Sequence, residues 1–135
     1  MADWVDIEML NSFHVDVNKQ KKIITFVYPL QNIKIDVPQI ILSSFLQQVE
    51  PWTFDLLTDM SGFEGFVPWP QLEEMADIWS HSVGVKDAGR AVAIVSQQNL
   101  IHERLDGYQE LWPNREFKIF HTVDEASEWL LNRRN

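Results

Sequence analysis

The run Arg90-Ala91-Val92-Ala93-Ile94-Val95 limits the fold more than any other part of this chain. After Arg90 it has no polar break, so it offers no face to water. A strand of this kind is buried on both sides, as in a parallel sheet covered by helices, whereas a strand with one wet face would alternate. Other segments agree with such a sheet. Phe13-His14-Val15-Asp16-Val17 alternates apolar and polar, a polar turn covers Asn18 to Lys22, and Ile23-Ile24-Thr25-Phe26-Val27-Tyr28 resumes the apolar run. These predict a hairpin. Phe54-Asp55-Leu56-Leu57-Thr58-Asp59 predicts a third strand, and Phe117-Lys118-Ile119-Phe120 a fifth.

Helical spacing separates the strands. From Asp36, a cap ahead of Pro38, residues Ile41, Leu42, Phe45, Leu46 and Val49 recur on one face until Pro51. Pro70 opens a second helix whose Leu72, Met75, Ala76, Trp79 and Val83 form a stripe ending at Gly84. Asn99 is placed to cap a third, carrying Ile101, Leu105, Tyr108 and Trp112 inward ahead of Pro113. Thr122-Val123-Asp124-Glu125 reads as a capping box, and Arg133 and Arg134 suit the negative end of the last helix. Pro29 to Ile35 is compatible with a short strand or with a loop. The order β-β-α-β-α-β-α-β-α predicts one α/β domain over residues 1–135, with residues 1–11 as an N-terminal extension. Right-handed crossovers place strands two to five parallel and the first antiparallel at one side, a mixed, mostly parallel five-stranded sheet flanked by helices.

Composition narrows the function. A formal net charge of −9 works against attraction to nucleic-acid phosphates, so no nucleic-acid partner is expected. Cysteine is absent, which excludes disulfides, thiolate metal sites and cysteine nucleophiles and fits a reducing compartment. Acidic residues Asp3, Asp6 and Glu8 stand where a secretion signal would be basic, and no apolar run approaches the roughly 18 residues of a membrane span. A cytoplasmic location is the expectation. Six Trp and eight Phe are a heavy aromatic load, and some of those rings should reach a surface or an interface.

Three segments carry a resemblance: Phe54-Asp55-Leu56-Leu57-Thr58-Asp59-Met60-Ser61-Gly62, Ala91-Val92-Ala93-Ile94-Val95-Ser96, and Phe120-His121-Thr122-Val123-Asp124-Glu125-Ala126-Ser127-Glu128-Trp129-Leu130. In this order, across about Phe13 to Leu131, the chain resembles the SpoIIAA-like proteins, bacterial relatives of STAS domains. Their fold is similar both to anti-sigma-factor antagonists and to CRAL-TRIO lipid-transfer domains, which implies binding without naming the ligand. One departure bears on mechanism. In anti-sigma antagonists an Asp-Leu-Ser-Gly-type strand end is followed shortly by Asp-Ser-Ser-Gly, whose serine is the phosphorylation switch. Here Asp59-Met60-Ser61-Gly62 matches the first part, but the switch region reads Val67-Pro68-Trp69-Pro70 and offers no hydroxyl.

Ser61-Gly62-Phe63-Glu64-Gly65-Phe66-Val67-Pro68-Trp69 follows the third strand, at the carboxyl edge where open α/β sheets bind ligands. Two readings stand. Phe63, Phe66 and Trp69 form an apolar mouth or lid, or Phe63 and Phe66 tuck under the helix as core while Trp69 staples its start. The first helix has a polar side without charge, Gln39, Ser43, Ser44, Gln47 and Gln48, which suits a solvated face or a contact with another subunit or acyl chains. Glu73, Glu74 and Asp77 lie near the start of the second helix, where they favour its dipole rather than forming a metal site.

Catalytic signatures are missing. Asp59 and Ser61 lack a sequence-adjacent histidine and a Gly-x-Ser-x-Gly elbow, so Asp59 is expected to cap loop amides. His14, His81, His102 and His121 have no metal-ligand spacing, and Gly62-Phe63-Glu64-Gly65 lacks the Lys and hydroxyl of a phosphate loop. The expectation is a non-enzymatic module, without cofactor or metal, that binds an apolar small molecule or lipid through Asp59, Ser61, Gly62, Phe63, Phe66, Val67, Trp69, Leu72 and Trp79. The alternative is a STAS-type regulatory domain that docks a protein through the same edge. Peripheral membrane contact and a homodimer are compatible with either.

Overall fold

The computed structural model describes residues 14–28, 37–63 and 67–133. Pro29 to Ile35, the extension at 1–11, the cap Asp36, Phe66 and Arg134 lie outside them. The described elements are β1 (His14–Asn18), β2 (Ile23–Val27), α1 (Val37–Leu46), β3 (Asp55–Asp59), α2 (Trp69–Val83), β4 (Ala91–Val95), α3 (Asn99–Glu103), α4 (Leu105–Leu111), β5 (Glu116–Phe120) and α5 (Val123–Arg133). The strands lie in chain order, β1-β2-β3-β4-β5, with β1 antiparallel to β2 and the other pairings parallel. The predicted mixed sheet is what the chain forms. The hairpin turn uses Asn18, whose Oδ1 accepts the Lys21 amide at 2.9 Å, and Lys22 with a φ of 58°.

This order decides where the helices go. Each right-handed crossover steps to the next strand in the same direction, so α1, α2 and the α3–α4 pair all fall on one face of the sheet. The last helix, α5, packs on the other face, against β3, β4 and β5. The strand side chains divide accordingly. Ile24, Phe26, Leu56, Val92 and Ile94 join the larger core with α1, α2 and α4, while Ile23, Leu57, Ala91, Ala93 and Val95 meet α5. Three of the five residues toward α5 lie on β4, and they are small, so Ala126 and Leu130 approach the sheet until both are fully buried. Every residue of β4 is buried, as its unbroken apolar run predicts.

Several local expectations change. The first helix ends at Leu46 rather than near Val49, which is 83% exposed, because the chain turns there and Glu50 takes a left-handed conformation (φ 53°) before Pro51. The third helix breaks at Arg104 into α3 and α4, and Asn99 is its first helical residue, not its cap; Gln98 holds the cap position without a side-chain bond. In the capping box the Thr122 hydroxyl oxygen accepts the Glu125 amide at 3.2 Å as predicted. Its proton goes to the Glu125 carboxylate at 2.9 Å. Arg133 reaches sideways to Glu116 and to the Gly89 carbonyl, tying α5 to the start of β5.

Candidate functional site

Aromatic side chains hold the helical layer on its sheet face. Phe45 of α1 meets Trp79 of α2 edge-on, with ring centroids 5.3 Å apart. Tyr108 of α4 lies between Trp69, stacked at 6.1 Å, and Phe117 of β5, at 6.2 Å. Rigid rings of this size bury much area but cannot flow into gaps as Leu or Met can. Between them the core keeps a cavity with about 80 Å³ open to the centres of water-sized molecules.

The cavity runs under the helices. Its floor is the sheet face of Leu56, Thr58, Val92, Ile94 and Phe117, and its roof comes from Pro38, Ile41, Leu42 and Phe45 of α1 with Leu72, Met75 and Trp79 of α2. Tyr28, Met60 and Val67 line it toward the carboxyl edge of the parallel strands, Tyr108 and Trp112 on the α4 side, and Arg115 where β5 begins. Burial pushes the Tyr108 hydroxyl above its ordinary pKa, and the Arg104 guanidinium beside it offsets part of that rise.

Arg115 is the charged residue of the lining, and it is almost wholly buried. Its Nε donates to Asp87 Oδ2 at 2.7 Å and its Nη1 to the Phe54 carbonyl at 2.8 Å. Trp79 Nε1 donates to the same Asp87 Oδ2 at 2.8 Å. The guanidinium lies over the rings of Trp79 and Phe45, 5.1 and 5.4 Å from their centroids. Loss of water pulls its pKa below the ordinary value, against the hydrogen bond and charge of Asp87 and the charge of Asp55. Among the described residues, the buried side-chain atoms without a hydrogen-bond partner are Arg115 Nη2 and Asp87 Oδ1.

Of the residues expected at the site, Val67, Leu72 and Trp79 line the cavity. Phe63 is buried against Tyr28 at 5.0 Å, in the core as the second reading of its loop has it. Trp69 is half-buried over Tyr108, outside the lining, with the Arg104 guanidinium 5.5 Å from its ring. Arg104 Nη1 also donates to the Val67 carbonyl at 2.8 Å, and Gln98 donates to the Phe63 carbonyl, so both described ends of the loop are held by the α3–α4 segment. Asp59 Oδ1 accepts the Ser61 amide at 3.0 Å and the Ser61 hydroxyl, an exposed turn cap beside Gly62. Phe66 lies outside the described residues.

Sequence spacing did not bring out Arg115, Asp87, Thr58, Tyr28 or Phe45 as one group. A buried Arg just before a strand carries no local signal, because its partner Asp87 is distant in the chain. The stacked pair His102 and His121, 4.7 Å apart, also escaped spacing arguments. Of the polar residues expected on the first helix, Ser44 donates from its Oγ to the Ile40 carbonyl, and Gln48, just beyond α1, donates from its Nε2 to the Ser44 carbonyl. Glu73, Glu74 and Asp77 are exposed, and the described residues contain no cluster of three or more His, Asp or Glu fit to hold a metal ion. Among the described residues no helix is long and apolar enough to cross a membrane.

Neither a protein-family model nor a curated protein matches the chain. Among solved structures it is similar to an uncharacterized protein from the DUF3478 family with a SpoIIAA-like fold, from Shewanella loihica PV-4. The TM-score is 0.58 at 18% sequence identity, over 87% of this chain and 91% of that one. The chain has a SpoIIAA-like fold, as its sequence motifs imply.

Proposed function

We propose that this domain is a non-enzymatic binding module that takes an apolar small molecule, or the apolar part of a lipid, into the cavity between the sheet and the α1–α2 layer. The observation that carries this reading is the cavity itself. The pocket is lined almost wholly by apolar side chains, which gain packing contacts when an apolar molecule displaces water from its roughly 80 Å³. Apolar surroundings with a few polar groups at one end are what small-molecule sites provide. Asp59 and Ser61, the pair best placed for chemistry in the sequence, are occupied with each other in a turn.

Native mass spectrometry of freshly isolated protein tests this, together with titration of a fluorescent fatty-acid probe. A co-purifying apolar molecule, or saturable probe binding abolished by filling the cavity through Thr58→Phe, is the expected result. A protein that folds, carries nothing and binds no probe would leave the regulatory docking role as the better account.

A further inference from the structure

Thr58 is the polar residue in the floor of the cavity. It sits on β3, the central strand, where alternation puts its side chain on the face of Leu56, and its cross-strand partners are Phe26 and Ile94. Those three residues are apolar and buried, as is Met60 just beyond the strand. Tyr108 and Arg115, also in the lining, already bond Arg104 and Asp87. The Thr58 hydroxyl makes no hydrogen bond to another described residue. Its oxygen is nevertheless not sealed, since the sealed side-chain atoms without a partner among the described residues are Arg115 Nη2 and Asp87 Oδ1. On a central strand roofed by α1 and α2, the opening it faces is the cavity.

A hydroxyl so placed sorts ligands. A hydrocarbon laid on this floor leaves the Thr58 hydroxyl facing carbon, whereas a ligand with an oxygen or nitrogen above it completes a hydrogen bond. An ionised group gains too little from that one bond, because the apolar side chains around Thr58 offer nothing else in place of its hydration. We propose that Thr58 sets ligand specificity: the cavity takes apolar molecules that carry a neutral hydrogen-bonding group, a phenol or a ketone in the simplest case, seated on the Thr58 hydroxyl. This rests on the binding function proposed above. At about 10–15 Å³ for each water-sized occupant, the roughly 80 Å³ of the cavity admits about five to eight heavy atoms without rearrangement, enough for one substituted ring.

The test compares phenol with toluene, which share one shape and size, at pH 7, where phenol is neutral. Binding to the parent, to Thr58→Val and to Thr58→Ser is followed by NMR titration of the Leu72 and Ile94 methyl groups. Valine keeps the shape of threonine on a strand and removes only the hydroxyl, so Thr58→Val should fold; serine keeps the hydroxyl. Comparing the phenol-to-toluene affinity ratio between variants cancels the different hydration of the two probes. That ratio should fall about tenfold in Thr58→Val, as expected for one buried hydrogen bond, and should stay within about threefold of the parent in Thr58→Ser. An unchanged ratio in Thr58→Val, or an equal fall in both variants, overturns the specificity inference while the binding function stands. If neither probe shifts a lining methyl signal of the parent or of Thr58→Val at millimolar concentration, the binding function fails and the inference falls with it.

Discussion

Gly107→Ala should change the sign of its effect with the residue at position 69. Gly107 lies inside α4, where alanine is favoured over glycine by about 0.8–1.0 kcal/mol. A methyl group there would stand 2.6 Å from Trp69 Cη2 and 3.3 Å from its Cζ2, so the ring has to move. It is not free to move, being stacked on Tyr108, covered by Arg104, and backed by the bond from Arg104 to the Val67 carbonyl. Overpacking of this kind costs about 1–3 kcal/mol, so Gly107→Ala should be neutral to about 2 kcal/mol destabilising in the parent. With Trp69→Leu the obstacle is gone, and the same change should stabilise by about 1 kcal/mol. Urea unfolding of the four proteins of this cycle measures the coupling, expected at about 1–3 kcal/mol. Equal stabilisation in both backgrounds, with coupling below about 0.5 kcal/mol, would refute the idea that Trp69 is pinned against α4.

Other outcomes follow from the same contacts. Arg115→Met strands the buried Asp87 carboxylate and should cost about 3–5 kcal/mol in denaturant unfolding, while Asp87→Leu with Arg115→Met should recover most of it. Ile94→Asp places an unpaired charge in a strand buried throughout and should abolish cooperative unfolding; a soluble variant with a sharp melt would count against that core. Tyr108 is held protonated by burial, so above about pH 10 the unfolded chain releases that proton and the folded one retains it. Stability should therefore fall with rising pH from about 10 upward, and the fall should be smaller in Tyr108→Phe.

The fold was legible because its signals are local. The unbroken run of β4, the alternation of β1, and the stripe from Leu72 to Val83 each follow from how side chains sit on a strand or helix, and their order leaves few topologies. The Asp59 turn and the Thr122 cap were legible for the same reason: both ends of each bond lie within three residues. Val49 misled because helical spacing continues one turn past the place where the chain bends toward Pro51, and a pattern cannot see that bend.

The site was legible only in part. Val67, Leu72 and Trp79 could be placed near a carboxyl-edge loop, but the cavity they border depends on distances between layers. Whether Phe45 and Trp79 meet edge-on, and how far that holds α1 and α2 from the sheet, is decided by packing across elements distant in sequence. Arg115 shows this most clearly. Its partners Asp87 and the Phe54 carbonyl lie 28 and 61 positions away, at the amino ends of neighbouring strands, and they meet only because the parallel register brings those ends together. Periodicity tells each residue which way to face; what it faces is set by closure of the whole sheet, where long-range pairing and the desolvation of charge are decided together.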